Sequence, residues 1–161
     1  MIGGIHLWLL LLGIATAVDG LLAGASVDQS VKQLPARHRI GMRAFSAYTK
    51  AADLANGRFF YPLLGVGGAV LTIAAAIWAL TLSLPAGHLL PVLAAAALSV
   101  AHSITTARAA PIMWSQRTVH DDEAALDRIF LRFARWQAAR AVLQVATFLI
   151  MVWALAVNSA G

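Results

Sequence analysis

Three titratable residues, Asp19, His102 and Arg140, interrupt stretches of sequence that are otherwise apolar. Ionisable side chains within such stretches are rare in membrane proteins and usually face the interior of the helix bundle. A carboxylate or an imidazole can accept a proton, and a guanidinium can hold a developing oxyanion. We therefore predict a catalytic group in which Asp19 or His102 is the base and Arg140 is the electrostatic clamp. The structural alternative is an ion pair between Asp19 and Arg140, with His102 hydrogen-bonded to a neighbouring serine.

Other polar residues accompany these three at helical spacing. Counting 1.5 Å per residue places Asp19, His102 and Arg140 in the same half of a hydrocarbon core roughly 30 Å thick. We predict an interior polar layer that forms a substrate pocket open toward the cytoplasm. Its predicted substrate-binding residues are Ser99, Ser103, Gln137 and Gln144.

The end of the first long loop supplies candidates for the mouth of this pocket. Asp53 and Asn56 share a helix face, and Tyr61 follows just beyond them. They are predicted to line the mouth and to bind substrate. The alternative is an interfacial helix that shows its polar face to water, with Tyr61 in the aromatic belt.

The elements that position these residues follow from the composition. Of 161 residues, 60% are apolar and 12% charged, whereas a soluble domain is about half apolar and about a quarter charged. A membrane-spanning helix needs about 20 apolar residues. Four stretches qualify, at about 2–25, 59–84, 88–107 and 136–157. We predict an all-α integral membrane protein, an antiparallel four-transmembrane-helix bundle that forms one domain over residues 1–161.

The basic residues are distributed very unevenly. All 12 lysines and arginines lie in the two long loops and their flanks, six in each. The positive-inside rule then places both loops in the cytoplasm and both termini outside. The alanine-rich composition indicates a bacterial inner membrane. The basic loops are expected to contact anionic lipid headgroups, so no nucleic-acid partner is predicted.

Two helices are predicted in these cytoplasmic loops. Apolar residues recur at helical spacing over about 42–59, which predicts an amphipathic helix at the interface or leading into the second span. The acidic run from His120 to Glu123 is typical of a helix start. The last helix could then extend to Val157, over about 36 residues or on the order of 54 Å.

No metal or cofactor is predicted. The chain has no cysteine, which excludes disulfides, thiolate metal sites and iron–sulfur clusters. No two histidines lie three or four residues apart. The alternative is a haem or metal site between His6 and His88, near the outer surface.

Several short motifs resemble those of the anthrone oxygenase-like membrane proteins, a family of small four-span proteins of largely unknown function. These motifs are RWQAARAVLQ at 135–144, AGASV at 23–27, YPLLG at 61–65 and RAAP at 108–111. The resemblance implies a four-span fold and functional positions for Trp136 and Arg140 on the last helix, with Trp136 as a substrate-binding residue. It also implies a cofactor-independent oxygenase or oxidoreductase that acts on a lipophilic aromatic or quinol-like small molecule.

Two other functions remain open at this stage. The chain could be a non-catalytic accessory subunit of a larger membrane protein complex, since small residues along helix one (Gly13, Ala17, Gly20 and Gly24) could contact a membrane-protein partner or a second copy. It could also be a four-span membrane enzyme of the glutathione or eicosanoid type, which shares the topology and the basic first loop.

Overall fold

The computed structural model describes residues 2–160, and Met1 and Gly161 lie outside the described residues. This part of the chain is helical and contains no strand. Four of its continuous helical segments, at residues 3–40, 42–79, 86–118 and 123–159, are long and apolar enough to cross a membrane. The prediction of an all-helical protein with four such helices is confirmed, and these helices suggest an integral membrane protein.

The first two segments each contain a π-helical turn. The first comprises α1 (Ile2–Asp28), a π-helical turn at Gln29–Gln33 and α2 (Leu34–Ile40). The second comprises α3 (Met42–Ala51), a π-helical turn at Ala52–Asn56 and α4 (Gly57–Ala79). Gly41 alone joins the two segments, with φ of +86°, a backbone conformation that glycine adopts without steric cost.

The other two segments are simpler. The third is α5 (Ala86–Ser115), which ends in a 3₁₀ turn at Gln116–Thr118. The fourth is α6 (Glu123–Ser159), and the Asp122 carboxylate caps it by accepting from the backbone N–H of Ala125 at 2.9 Å. This start agrees with the acidic helix-start signal in the sequence.

The four long helices form a bundle in which α1 and α5 each pack against both α4 and α6. Two apolar cores lie at opposite ends of it. One contains Trp8, Leu12 and Met151, and the other contains Phe45, Phe130 and Phe133. Buried polar residues occupy the level between the two cores.

The second and third helices differ in length from the spans predicted at about 59–84 and 88–107. The second helix ends at Ala79 rather than Leu84, because the chain turns before Pro85 and Ser83 adopts a positive φ of 52°. The third helix continues eight residues beyond Ala107, to Ser115, and includes Pro111.

The first long loop was also more helical than predicted. Helix α1 continues to Asp28, and α2 follows where a loop was expected. The amphipathic helix predicted over 42–59 is instead α3, which a π-helical turn joins directly to α4. The first two apolar helices therefore extend as continuous rods to Gly41.

Candidate functional site

A cavity of about 360 Å³ lies at the level between the two apolar cores. All four long helices contribute to its wall, together with the π-helical turns that follow α1 and precede α4. Most of the wall is apolar. The polar side chains on it are few and include Gln29, Asp53, His102, Arg140 and Gln144. An apolar cavity with a few convergent polar groups is typical of a small-molecule site.

The guanidinium of Arg140 has one nitrogen that is hydrogen-bonded and another that is buried without a partner. Its Nη2 donates to Oε1 of Gln29 at 2.9 Å. Its Nε is buried and has no hydrogen-bond partner within residues 2–160. A buried donor without a partner carries a free-energy cost of about 1–3 kcal/mol. The Nε–H is therefore left without an acceptor in a residue that lines the cavity.

Gln29 links Arg140 to a carboxylate. Its Nε2 donates to Oδ2 of Asp53 at 3.4 Å while its Oε1 accepts from Arg140. Arg140 forms no direct salt bridge with any of the described residues. The negative charge of Asp53 thus reaches Arg140 through one amide rather than by direct contact.

Both members of that link belong to π-helical turns. Gln29 is the first residue of one turn and Asp53 is the second residue of the other. A π-helical turn fits one extra residue into a helix and rotates the residues that follow, and such turns are frequent at functional sites. The two turns lie side by side at the cavity and aim their polar side chains at each other.

His102 lies on α5 and is 2% exposed. Its Nδ1 is buried and has no hydrogen-bond partner in the described chain. The hydroxyls of Thr105 and Thr106 donate to the His102 carbonyl at 2.7 and 3.0 Å, so they do not engage the ring. The alternative in which His102 is hydrogen-bonded to a serine is therefore wrong, and Nδ1 is left without a partner in a residue that lines the cavity.

Asp19 is separate from the cavity. It is 2% exposed, accepts a hydrogen bond from Oγ1 of Thr72 at 2.7 Å and lies against Gly68 of α4. It is not on the cavity wall as the structure describes it, and no ion pair joins it to Arg140 among residues 2–160. The ion-pair alternative is therefore wrong, and Asp19 connects α1 to α4.

The two predicted glutamines have different positions. Gln144 lies on the cavity wall and accepts a hydrogen bond from Oγ of Ser26. Gln137 is fully buried behind the wall and donates to the Ser26 carbonyl at 3.2 Å and to Oγ of Ser30 at 3.3 Å. Together they connect α6 to α1 and the turn that follows it.

The remaining predicted substrate-binding residues divide in the same way. Tyr61, Asp53 and Ser103 line the cavity. Trp136 is 38% exposed and faces away from it. Ser99 is buried off the wall, and its Oγ has no partner within the described residues. Asn56 is exposed and lines a separate shallow recess beside Asp53 and Tyr61.

The electrostatics at the edge of the cavity are set by burial. Asp53 lies in the π-helical turn before the apolar part of α4, outside the span predicted at about 59–84. Burial raises the pKa of its carboxyl above the ordinary value, and the hydrogen bond from Gln29 and the charge of Arg140 oppose that rise. A protonated Asp53 would still accept from Gln29.

Two residues that hold predicted site residues in place were not predicted as such from the sequence. Ser26 contacts both Gln144 and Gln137, and Thr72 binds Asp19. Thr72 could have been identified from the sequence, because it is the only residue with a hydroxyl side chain in 62–79. Ser26 lay in a predicted loop, and its orientation follows from the continuation of α1.

No group of three or more histidine, cysteine, aspartate or glutamate residues that could hold a metal ion occurs in residues 2–160. His6 is exposed, and His88 is half-buried with its carbonyl accepting from Asn158 at 3.1 Å.

Comparisons with models of protein families, with curated proteins and with solved structures give no match to this chain. Function must therefore be argued from the site.

Proposed function

We propose that this protein is an integral membrane enzyme of the anthrone oxygenase-like kind, which oxygenates a lipophilic aromatic molecule without a cofactor. One observation carries the proposal. Two buried nitrogen atoms, Nδ1 of His102 and Nε of Arg140, lack partners among the described residues, and both side chains face one largely apolar cavity. A base and a fixed cation at one site are what deprotonation of a phenolic substrate requires.

In the proposed topology the four spans are antiparallel in a bacterial inner membrane. The termini are outside and the basic loops are cytoplasmic. The distribution of the 12 basic residues supports this orientation. The core around Phe45, Phe130 and Phe133 would then lie at the cytoplasmic end.

The proposed chemistry uses anthrone as the simplest probe. His102 removes a proton from the methylene carbon opposite the carbonyl, and the Arg140 Nε–H holds the resulting enolate oxygen. The carbanion reduces O₂ and forms a C–O bond, which gives a hydroperoxide. Loss of water from the hydroperoxide leaves anthraquinone, so one anthrone and one O₂ give one quinone and one water.

The resemblance found in the sequence supports the proposal at specific positions. In RWQAARAVLQ, both Arg140 and Gln144 lie on the cavity wall. Trp136 of the same motif does not, so we assign it no contact with substrate. Gln29 is assigned the role of positioning Arg140, since it accepts from the guanidinium at 2.9 Å.

The test is oxygen consumption by the purified protein with anthrone, alongside appearance of the quinone. We expect His102→Ala and Arg140→Gln each to lower the rate about a hundredfold or more, the usual contribution of a general base or an oxyanion donor. His38→Ala and Arg135→Gln make matched changes at exposed positions and should leave it unchanged. Equal rates in all four variants would overturn the assignment.

A non-catalytic accessory subunit is the second candidate, favoured by the outer face of α1. Built Cβ atoms at Gly13 and Gly24 would have no neighbour within 4 Å, whereas Gly20 packs against Phe148 inside the bundle. Open glycines allow close approach of another helix. Native mass spectrometry after gentle extraction would distinguish the candidates, since a subunit should carry a second polypeptide and the enzyme should not.

A further inference from the structure

The most exposed part of the cavity wall lies on one side of the bundle. Among the residues that line it, six are exposed at the protein surface, and all six belong to α4 or α5: Arg58, Pro62, Val66, Ser103, Ala107 and Trp114. Within the described chain, the lining residues on α1 and α6 are buried or half-buried. The opening therefore lies between α4 and α5.

Small residues leave open space between these two helices at the opening. Gly65 lies on the α4 wall, and a Cβ built there meets nothing within 4 Å. Ala107 and Ala110 face it from the α5 wall. The result is a lateral slot, which we define by Pro62, Gly65 and Val66 on α4 and by Ser103 and Ala107 on α5.

The end of the cavity nearer the α2–α3 turn is closed by packing. Leu54, Met113 and Phe133 line the end of the cavity nearer the α2–α3 turn, and each is at most 7% exposed as part of a packed core. Arg117 further fixes this end by donating to the Leu54 carbonyl at 3.0 Å. A ligand that entered from this end would have to displace core side chains.

The slot extends along the bundle into the apolar part of α4 and α5. Arg58 to Val66 spans eight residues, or roughly 12 Å, and Trp114 to Ser103 spans eleven, or roughly 16 Å. The Ser103 hydroxyl donates to its own helix at the Ser99 carbonyl, at 2.8 Å. Because that hydroxyl already has an acceptor, the slot presents an apolar edge to its surroundings.

We infer that the slot is a lateral portal, through which a bilayer-dissolved amphipathic molecule enters the cavity head-first from the cytoplasmic leaflet. The inference rests on the proposed function and narrows its substrate class. The head carries an oxygen acceptor that reaches Arg140 and His102, and the apolar remainder stays in the slot between α4 and α5. A water-soluble molecule of similar head chemistry would be a poor ligand.

The experiment measures binding rates of anthraquinone, the unreactive product of the proposed reaction. Protein in lipid nanodiscs is mixed with vesicles that carry anthraquinone, and quenching of tryptophan fluorescence reports association. Gly65→Leu and Ala107→Leu fill the slot from its two walls. Gly67→Leu, which has open space and lies off the wall, and Ala97→Leu, which is exposed, are the matched controls.

We expect each slot-filling variant to slow association about tenfold or more, as for binding that must wait for a rearrangement, and both controls to keep the wild-type rate. Because the two variants fill the slot from different helices, one of them still tests the portal if the other misfolds. Wild-type rates in both slot variants, with binding still lost in Arg140→Gln, would overturn the portal and leave the proposed site intact. Slowing by Asn56→Trp alone, at the shallow polar recess, would also overturn it. No binding by the wild type would overturn the proposed function and the portal with it.

Discussion

At the level of single residues, Asp19 depends on the absence of a side chain on the facing helix. Its Oδ1 would lie 2.9 Å from a Cβ built at Gly68, and its Oδ2 accepts from Thr72 one turn further along α4. A carboxyl group in the interior of a bundle is costly unless its hydrogen bonds are kept. Gly68 therefore leaves space for the Asp19 carboxyl group, and Thr72 donates a hydrogen bond to it.

We expect Gly68→Ala to destabilise the protein by about 1–3 kcal/mol, the usual cost of overpacking. The new methyl group must push Asp19 away from Thr72. Gly67→Ala is the control, because its Cβ would meet nothing within 4 Å and alanine favours a helix by roughly 0.5–1 kcal/mol over glycine. Unfolding in mixed detergent micelles measures both. Equal stabilities would show that Asp19 does not depend on this contact.

The three titratable residues show what a sequence can reveal at this scale. Their depth follows from counting along each helix, and the structure places buried polar residues at one level of the bundle. Their grouping depends on how each helix is rotated about its axis. Asp19 turns toward α4 and contacts Thr72, whereas His102 and Arg140 turn toward the cavity. The rotation of each helix about its axis is set by packing against its neighbours. The spacing of residues along the sequence does not reveal that packing.

At the level of elements, the two long loops are tied together by polar contacts rather than left free. Gln116, fully buried in the turn after α5, accepts from Oγ of Ser46 at 2.9 Å and from Oγ1 of Thr49 at 3.0 Å. Lys50 donates to the Val119 carbonyl at 3.0 Å, and Arg43 contacts Glu123 at 3.3 Å. Two of the twelve basic residues thus join the loops.

The contact between Gln116 and Ser46 should show as energetic coupling. Gln116→Met removes the acceptor and leaves the buried Ser46 hydroxyl without it, and we expect a loss of about 1–3 kcal/mol in unfolding free energy. In Gln116→Met combined with Ser46→Ala, the orphaned hydroxyl is gone. The double variant should therefore be more stable than the sum of the single losses implies. Strict additivity would contradict a direct bond between α3 and the α5 turn.

The π-helical turns are the elements that could not be predicted from the sequence. Residues 26–41 were expected to belong to a loop, since the first apolar stretch ends at about residue 25 and Lys32, Arg37 and Arg39 follow it. Pro35 instead lies in the first turn of α2, where its missing N–H is tolerated. The extra residue in each π-helical turn has no compositional signature, yet it brings Gln29 and Asp53 together.

At the level of the whole molecule, helix length divides the protein into two parts. The segments 3–40 and 42–79 each contain 38 residues, or roughly 57 Å, against a hydrocarbon core of roughly 30 Å. In the proposed topology the excess projects on the cytoplasmic side, where the core around Phe45 and Phe130 packs it. The cavity then lies near the boundary between lipid and water, where an amphipathic molecule would reside.

That arrangement requires the turn between α4 and α5 to face outward, and the absence of cysteine makes it easy to test. Ala86→Cys places a thiol at this turn, and Ala124→Cys places one at the start of α6; both positions are exposed. We expect a membrane-impermeant maleimide to label Ala86→Cys in intact cells, and Ala124→Cys only after lysis, with the cysteine-free parent as control. The opposite pattern would invert the bundle. The lateral slot would then open toward the outer leaflet, and its substrate would have to arrive from that side.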